Sequence, residues 1–238
     1  MRKLTLDVVT YTDPDSVIAE QYRMVRTNIE LSRESEKLQT LFLTSANSGE
    51  GKTTTVLNLA VIFARAGKEV LLVDCDLRKH SLSNNFHLEN AEGFTGLVND
   101  QGPVSGNIYQ TNVPGLSFLP SGQAIKNPAE LLLNRQISLI VQQMKETFDL
   151  ILFDTPPVEE VADALILSPK LDGCILVVRG NFSKKDAVKR TKDALEGMDT
   201  NFIGVIHNAV GLSKKTNYSY GYGYGKTPKK KSILRFFK

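Results

Sequence analysis

Residues 46–54 read ANSGEGKTT and lie between an apolar run, TLFLTS, and a stretch with helical apolar spacing. A glycine-rich loop between a strand and a helix suits an anion. Glycines let backbone amides turn inward, and the helix offers its N-terminus. The phosphate-loop pattern is G-x-x-x-x-G-K-[ST]. Gly51, Lys52 and Thr53 meet it, and Ala46 stands where the first glycine usually is. That exchange is harmless if residue 46 has ordinary backbone angles. Ser48, Gly49, Glu50, Gly51, Lys52, Thr53 and Thr54 are the expected nucleotide-binding residues. Lys52 can reach the β- and γ-phosphates, and the Thr53 hydroxyl can ligate Mg²⁺.

The surrounding pattern alternates. Strand-like runs occupy 38–45, 69–74, 116–120, 150–154, 173–178 and 201–208. Several are almost continuously apolar, as strands covered on both faces are. Helical spacing lies between them. Val56, Leu59, Ala60 and Phe63 share a face of one segment that ends at Gly67. Ile137, Ile140, Val141 and Met144 mark a second, and Ala187, Val188 and Leu195 a third with Ser183 as its N-cap. The expected fold is α/β, a doubly wound, mostly parallel sheet.

Two of these strands end in acids. LILFD ends at Asp154, and LLVDCD places Asp74 and Asp76 two residues apart, on one face of an extended chain. Carboxylates at strand ends beside a phosphate loop can hold Mg²⁺, directly or through water. Either Asp74 or Asp76 can accept a proton from an attacking hydroxyl while the other assists the metal.

The charge balance excludes other classes. The 238 residues sum to +3, but the last 13, KTPKKKSILRFFK, carry six basic side chains and no acid. The rest is mildly acidic, so a uniformly basic nucleic-acid-binding surface is not indicated. No apolar run reaches the roughly 18 residues that span a bilayer, and the N-terminus is not a signal peptide. Cys75 and Cys174 lie in apolar runs and read as buried thiols.

Taken together, ANSGEGKTT, LLVDCDLRK and LILFDTPP resemble the three nucleotide motifs of the bacterial tyrosine kinases of the capsule and exopolysaccharide type, over residues 16–225. EQYRMVR is similar to that family's E-x-x-R-x-x-R oligomerisation motif, through Glu20, Arg23 and Arg26. Tyr218, Tyr220, Tyr222 and Tyr224 are similar to its C-terminal tyrosine cluster. The resemblance implies the phosphate-loop fold of the MinD/ParA-like type. It implies Mg²⁺-ATP as phosphoryl donor and cluster tyrosines as acceptors, modified in trans within a ring-like homo-oligomer. Lys52 would stabilise the transferred phosphoryl group, Thr53 and Asp154 would hold the metal, with Asp76 beside them, and Asp74 would be the base, with Asp76 second. Asn208, ending the last strand, resembles an adenine-contacting position. Further implied partners are a membrane-spanning activator, acting through its cytoplasmic tail, and a cognate tyrosine phosphatase. The chain then reads as a separate cytoplasmic half, held at the inner face of the membrane by its partner. His80 departs from the family's usual proline, a change expected to alter only the local turn.

The expected organisation is an N-terminal segment with the oligomerisation helix over 1–37 and a kinase core over 38–210. A tyrosine-rich tail follows over 211–225, then a basic extension over 226–238. Glu20, Arg23 and Arg26 lie along one helix face, which is equally a solvated charged face. The basic extension reads either as a solvated tail or as a lipid contact through Ile233, Leu234, Phe236 and Phe237. Two other functions share the nucleotide motifs. One is an ATPase switch of the partitioning or division-site class, which typically carries a further lysine where this chain has Asn47. The other is a nucleotide-gated scaffold that transfers nothing.

Overall fold

Successive residues of an extended strand face opposite sides of a sheet, and a strand covered on both sides therefore needs apolar residues throughout. Strand β1 (Thr40–Ser45) shows this directly: Leu41 and Leu43 join one core cluster and Phe42 the other. In this computed structural model, which describes residues 4–32, 38–88, 91–100, 103–210 and 233–237, both clusters run the length of the sheet. The other strands are β2 (Val70–Asp74), β3 (Tyr109–Gln110), β4 (Leu116–Leu119), β5 (Leu150–Asp154), β6 (Gly173–Arg179), β7 (Phe202–Val210) and β8 (Ile233–Phe237). Their order is β3-β4-β2-β5-β1-β6-β7-β8. The six from β4 to β7 pair in parallel, while β3 and β8 are antiparallel edges.

Nine helices cover the faces among the described residues: α1 (Val9–Thr12), α2 (Val17–Glu30), α3 (Lys52–Arg65), α4 (Ser81–Asn85), α5 (Phe94–Asp100), α6 (Pro128–Leu133), α7 (Gln136–Lys145), α8 (Asp163–Leu167) and α9 (Lys185–Glu196). Helices α2 and α3 supply one cluster; α5, α7 and α8 supply the other, with Leu195 of α9. Helix α3 is more deeply enclosed than its one-face pattern indicates. Every residue from Thr55 to Ala64 is buried, because α2 packs on the side away from the sheet. It stops at Arg65, with Ala66 as its C-cap and Gly67 at φ +91° just beyond. A left-handed glycine there is a common helix stop.

The doubly wound sheet agrees with the sequence expectation. Cys75 and Cys174 are free, buried thiols. Ser16 caps α2 by accepting the Ala19 N–H at 3.2 Å. Ser183 is not the cap of α9; Lys184 occupies that position without a side-chain bond. The Ser183 hydroxyl donates instead to Glu50 in the phosphate loop, which takes it away from the helix. Ile233–Phe237 extend the sheet beyond β7, an element that the reading of a solvated or lipid-facing tail did not contain. Tyr218, Tyr220, Tyr222 and Tyr224 lie outside the described residues. Among the described residues, no helix is long and apolar enough to cross a membrane.

Candidate functional site

The C-terminal ends of β1, β2 and β5 meet at one place, where a parallel sheet opens a crevice. The loop after β1 climbs out and enters α3 through Gly51, whose φ is +92°. A side chain is strained at that angle. A Cβ would also stand 2.0 Å from the Asn208 amide nitrogen, so residue 51 is glycine on two counts. Ala46 is absent from the positive-φ residues, and this meets the condition its substitution required.

The loop is braced from the far side of the sheet. Asn208, on β7, donates to the Glu50 carbonyl at 3.1 Å. Arg179, ending β6, donates to the Gly49 carbonyl at 2.9 Å. The Glu50 carboxylate is fully buried; it accepts the Asn47 N–H at 2.9 Å and the Ser183 hydroxyl. Glu50 thus closes the loop on itself.

A cleft of about 170 Å³ lies at the loop, lined among others by Ser48, Gly51, Lys52, Thr53, Thr54 and Asp76. Thr53 donates to Asp154 Oδ2 at 2.6 Å. Among the described residues, Asp154 Oδ1 is buried without a partner. Its strand neighbour in register is Asp74. Burial, with Asp74 adding repulsion, pushes the Asp154 carboxyl up to about 7. Burial also raises Asp74 to about 6, against the pull of the Ser83 hydrogen bonds.

The two acids of β2 and its following loop have different surroundings. Asp74 is sealed: its Oδ2 accepts the Ser83 N–H at 2.8 Å and hydroxyl at 2.7 Å, and its Oδ1 accepts the Asp76 N–H at 3.2 Å. Ser83 in turn lies 3.0 Å from the Ser121 hydroxyl. Asp76 lines the cleft.

These residues fit a divalent cation. Buried acids with raised pKa values and an orphaned carboxylate oxygen lack positive charge. Thr53 and Asp154 already touch, and Asp76 shares the cleft. Among the described residues no three His, Cys, Asp or Glu side chains form a metal cage. Mg²⁺ takes one or two protein carboxylates and fills the rest of its shell with phosphates and water.

Several contributors have no sequence signal. Arg78 forms a bidentate pair with the fully buried Asp163, both bonds 2.9 Å. Glu160 accepts the Ser48 N–H at 2.8 Å, and Lys79 bridges Ser48 and Glu160 at 2.9 and 3.2 Å. Burial raises the Glu160 pKa, but the Ser48 N–H and Lys79 outweigh it and hold the carboxyl below its ordinary value. His80 takes φ +50°, an angle the proline ring forbids, so the local turn does differ. Its Nδ1 lies 2.5 Å from the Ser121 hydroxyl.

The helix motif sits apart from this crevice. Arg23 pairs with Glu20 at 2.5 Å, and Arg26 with Glu30 at 3.4 Å. Arg23, Arg26 and Arg65 line a surface pocket of about 290 Å³.

Comparison with known proteins adds the following. Residues 15–183 match the AAA domain family. The chain is 38% identical to the tyrosine-protein kinase YwqD of Bacillus subtilis (strain 168) over 218 residues, covering 92% of each. The kinase domain of the Escherichia coli tyrosine kinase ETK superposes with a TM-score of 0.82 at 26% identity, over 94% of this chain and 87% of that one. The chimerical protein CapA2B2 gives 0.79 at 31% identity, over 86% and 92%.

Proposed function

The chain belongs to the bacterial tyrosine kinases, and from that premise we propose that it transfers the γ-phosphoryl group of Mg²⁺-ATP to tyrosines of its own cluster, Tyr218, Tyr220, Tyr222 and Tyr224, on a neighbouring copy. The observation that carries the reading is the convergence of Lys52, Thr53 and Asp76 on one cleft, with the buried Asp154 bonded to Thr53 and its Oδ1 without a partner among the described residues. Lys52 and the amides of the loop hold the phosphates. Mg²⁺ when bound would neutralise phosphate charge; Thr53 and Asp154 are the side chains that would hold it, with Asp76 assisting where it is not the base.

The phenol oxygen forms a bond to the γ-phosphorus while the bond to the β,γ-bridging oxygen breaks, and ADP leaves. The phenolic proton goes to a carboxylate. By resemblance Asp74 is the first candidate and Asp76 the second. Asp74 has its oxygens taken by Ser83 and the Asp76 N–H, whereas Asp76 lines the cleft, which favours Asp76 as the acceptor and leaves the metal to Thr53 and Asp154. Asn208 braces the loop through Glu50, and an adenine contact would add to that role.

The wider assignment follows the family. Glu20, Arg23 and Arg26 would join copies into a ring, a heterologous contact that closes on itself. A membrane-spanning activator, implied by the resemblance to the family, would hold the kinase at the inner membrane face. A tyrosine phosphatase would reset it, and the output is control of capsule or exopolysaccharide synthesis.

Mass spectrometry after incubation with Mg²⁺-ATP tests the reaction, beside a Lys52→Met control. Phosphate on Tyr218–Tyr224 that the control lacks is the expected result. ADP release without phosphotyrosine would instead identify an ATPase switch.

A further inference from the structure

One anion already sits at the mouth of the phosphate loop, and it belongs to the chain. The Glu160 carboxylate takes the Ser48 N–H on one oxygen and the Lys79 ammonium on the other. A backbone amide of a phosphate loop and a lysine are both groups that bind phosphate. Lys79 also donates to the Ser48 hydroxyl, so all three residues form one closed set.

The backbone fixes where these side chains stand. The Lys79 N–H donates to Asp76 Oδ1 at 3.0 Å, and the His80 N–H to the Asp76 carbonyl at 2.8 Å, so the loop after β2 curls back over Asp76. Glu160 rides on a turn pinned to the end of β1 by Val158 and Glu159, whose N–H groups donate to Ser45 and Ala46. The side chains themselves are loose. Lys79 is 48% exposed and Glu160 38%. An exposed pair of this kind contributes little to stability and exchanges readily.

We propose that Lys79 is a second phosphate-binding cation of this site, and that Glu160 holds both Lys79 and the Ser48 N–H in a resting state displaced by the terminal phosphate of a nucleoside triphosphate. The inference rests on the reading of the cleft as a nucleotide site. Lys52 reaches the β- and γ-phosphates, and the N-terminus of α3 serves the inner ones. Ser48 and Lys79 line the cleft together with Asp76, the carboxylate that faces the transfer, so the phosphate they meet is the transferable one. A diphosphate lacks that group and leaves the Glu160 contacts in place. The arrangement discriminates triphosphate from diphosphate, and it couples release of Glu160 to loading of the donor.

Calorimetric titration of the full chain with ADP and with the β,γ-imido analogue of ATP, both with Mg²⁺, tests this. Lys79→Ala weakens the triphosphate analogue about tenfold, the scale of a lost charge-assisted hydrogen bond, and leaves ADP within about twofold. Lys79→Arg restores most of the loss. Glu160→Gln moves the other way and tightens the triphosphate analogue several-fold. Both side chains are exposed, so circular dichroism of the variants should match the parent. An unchanged ratio of the two affinities in Lys79→Ala overturns the proposal, as does a Glu160→Gln variant that binds the analogue more weakly. Failure of the unaltered chain to bind either ligand overturns the nucleotide-site reading beneath it.

Discussion

At the start of β1, Asp172 accepts the N–H groups of Gln39 at 3.0 Å and Thr40 at 2.8 Å, and the Lys145 ammonium at 2.7 Å. At the C-terminal end of β5, opposite Leu43 of β1, Asp154 meets one hydroxyl and keeps a bare, buried oxygen, with Asp74 beside it in register. The residue type is the same, and both flank β1, Asp172 just before β6 and Asp154 at the end of β5. Burial raises the pKa of both, but at Asp172 the lysine and the amides reverse that effect and hold the carboxyl below its ordinary range, while Asp154 rises to about 7. Asp172 ties β1, the start of β6 and the end of α7 together. Asp154 is left under-satisfied, which costs stability and leaves room for a cation. Satisfaction of the carboxylate, more than its burial, separates the structural end of this sheet from the working end.

Asp154→Asn breaks the comparison most sharply. It removes the charge that a cation needs, and phosphotransfer should fall by roughly 10²-fold or more. In the same protein without nucleotide, the melting temperature should rise, because a buried repulsive charge is gone. A melting temperature that drops would remove the idea that Asp154 is strained. Asp172→Asn is the mirror case. It turns an amide toward Lys145 and should cost about 1.5–3 kcal/mol, from lost charge-assisted bonds. Calorimetry should record a fall of several degrees, with the affinity for nucleotide retained.

A further test is a pH dependence with two limbs. Unfolded aspartates titrate near pH 4. Folded Asp154 and Asp74 hold their protons up to about 7 and about 6, so the metal-free fold binds more protons than the unfolded chain. Its melting temperature should fall as pH rises from about 4 to about 7. Asp172 acts in the opposite sense, contributing stability above about pH 4 that is lost as pH falls through its lowered folded value. Scanning calorimetry of the two variants separates the limbs. Asp154→Asn should flatten the neutral limb and Asp172→Asn the acid limb; a neutral limb unchanged in Asp154→Asn would assign it elsewhere.

What was legible in the sequence was local or periodic. The phosphate loop is nine consecutive residues, and the central strands show as apolar runs because both faces are covered. Asp74, Asp76 and Asp154 were legible because parallel strands put their C-terminal ends together. The supporting contacts were not, since they join distant segments: Ser48 with Glu160, Arg78 with Asp163, and Glu50 with Ser183. No spacing rule reaches across 112, 85 or 133 positions. Helices α4 and α8 have five residues each, too few for a period to show. Ser183 misled for the same reason. A serine before a helix reads as a cap until a distant carboxylate claims its hydroxyl.

The bracing of the phosphate loop by Arg179, Ser183 and Asn208 also has a consequence in time. The loop ends at residue 54, but the side chains that hold its shape are encoded more than 120 positions later. At about 5–20 residues per second of synthesis, the nascent chain carries Lys52 for roughly 8–30 s before Asn208 exists. The donor site is among the first parts of this protein to be made and among the last to be finished.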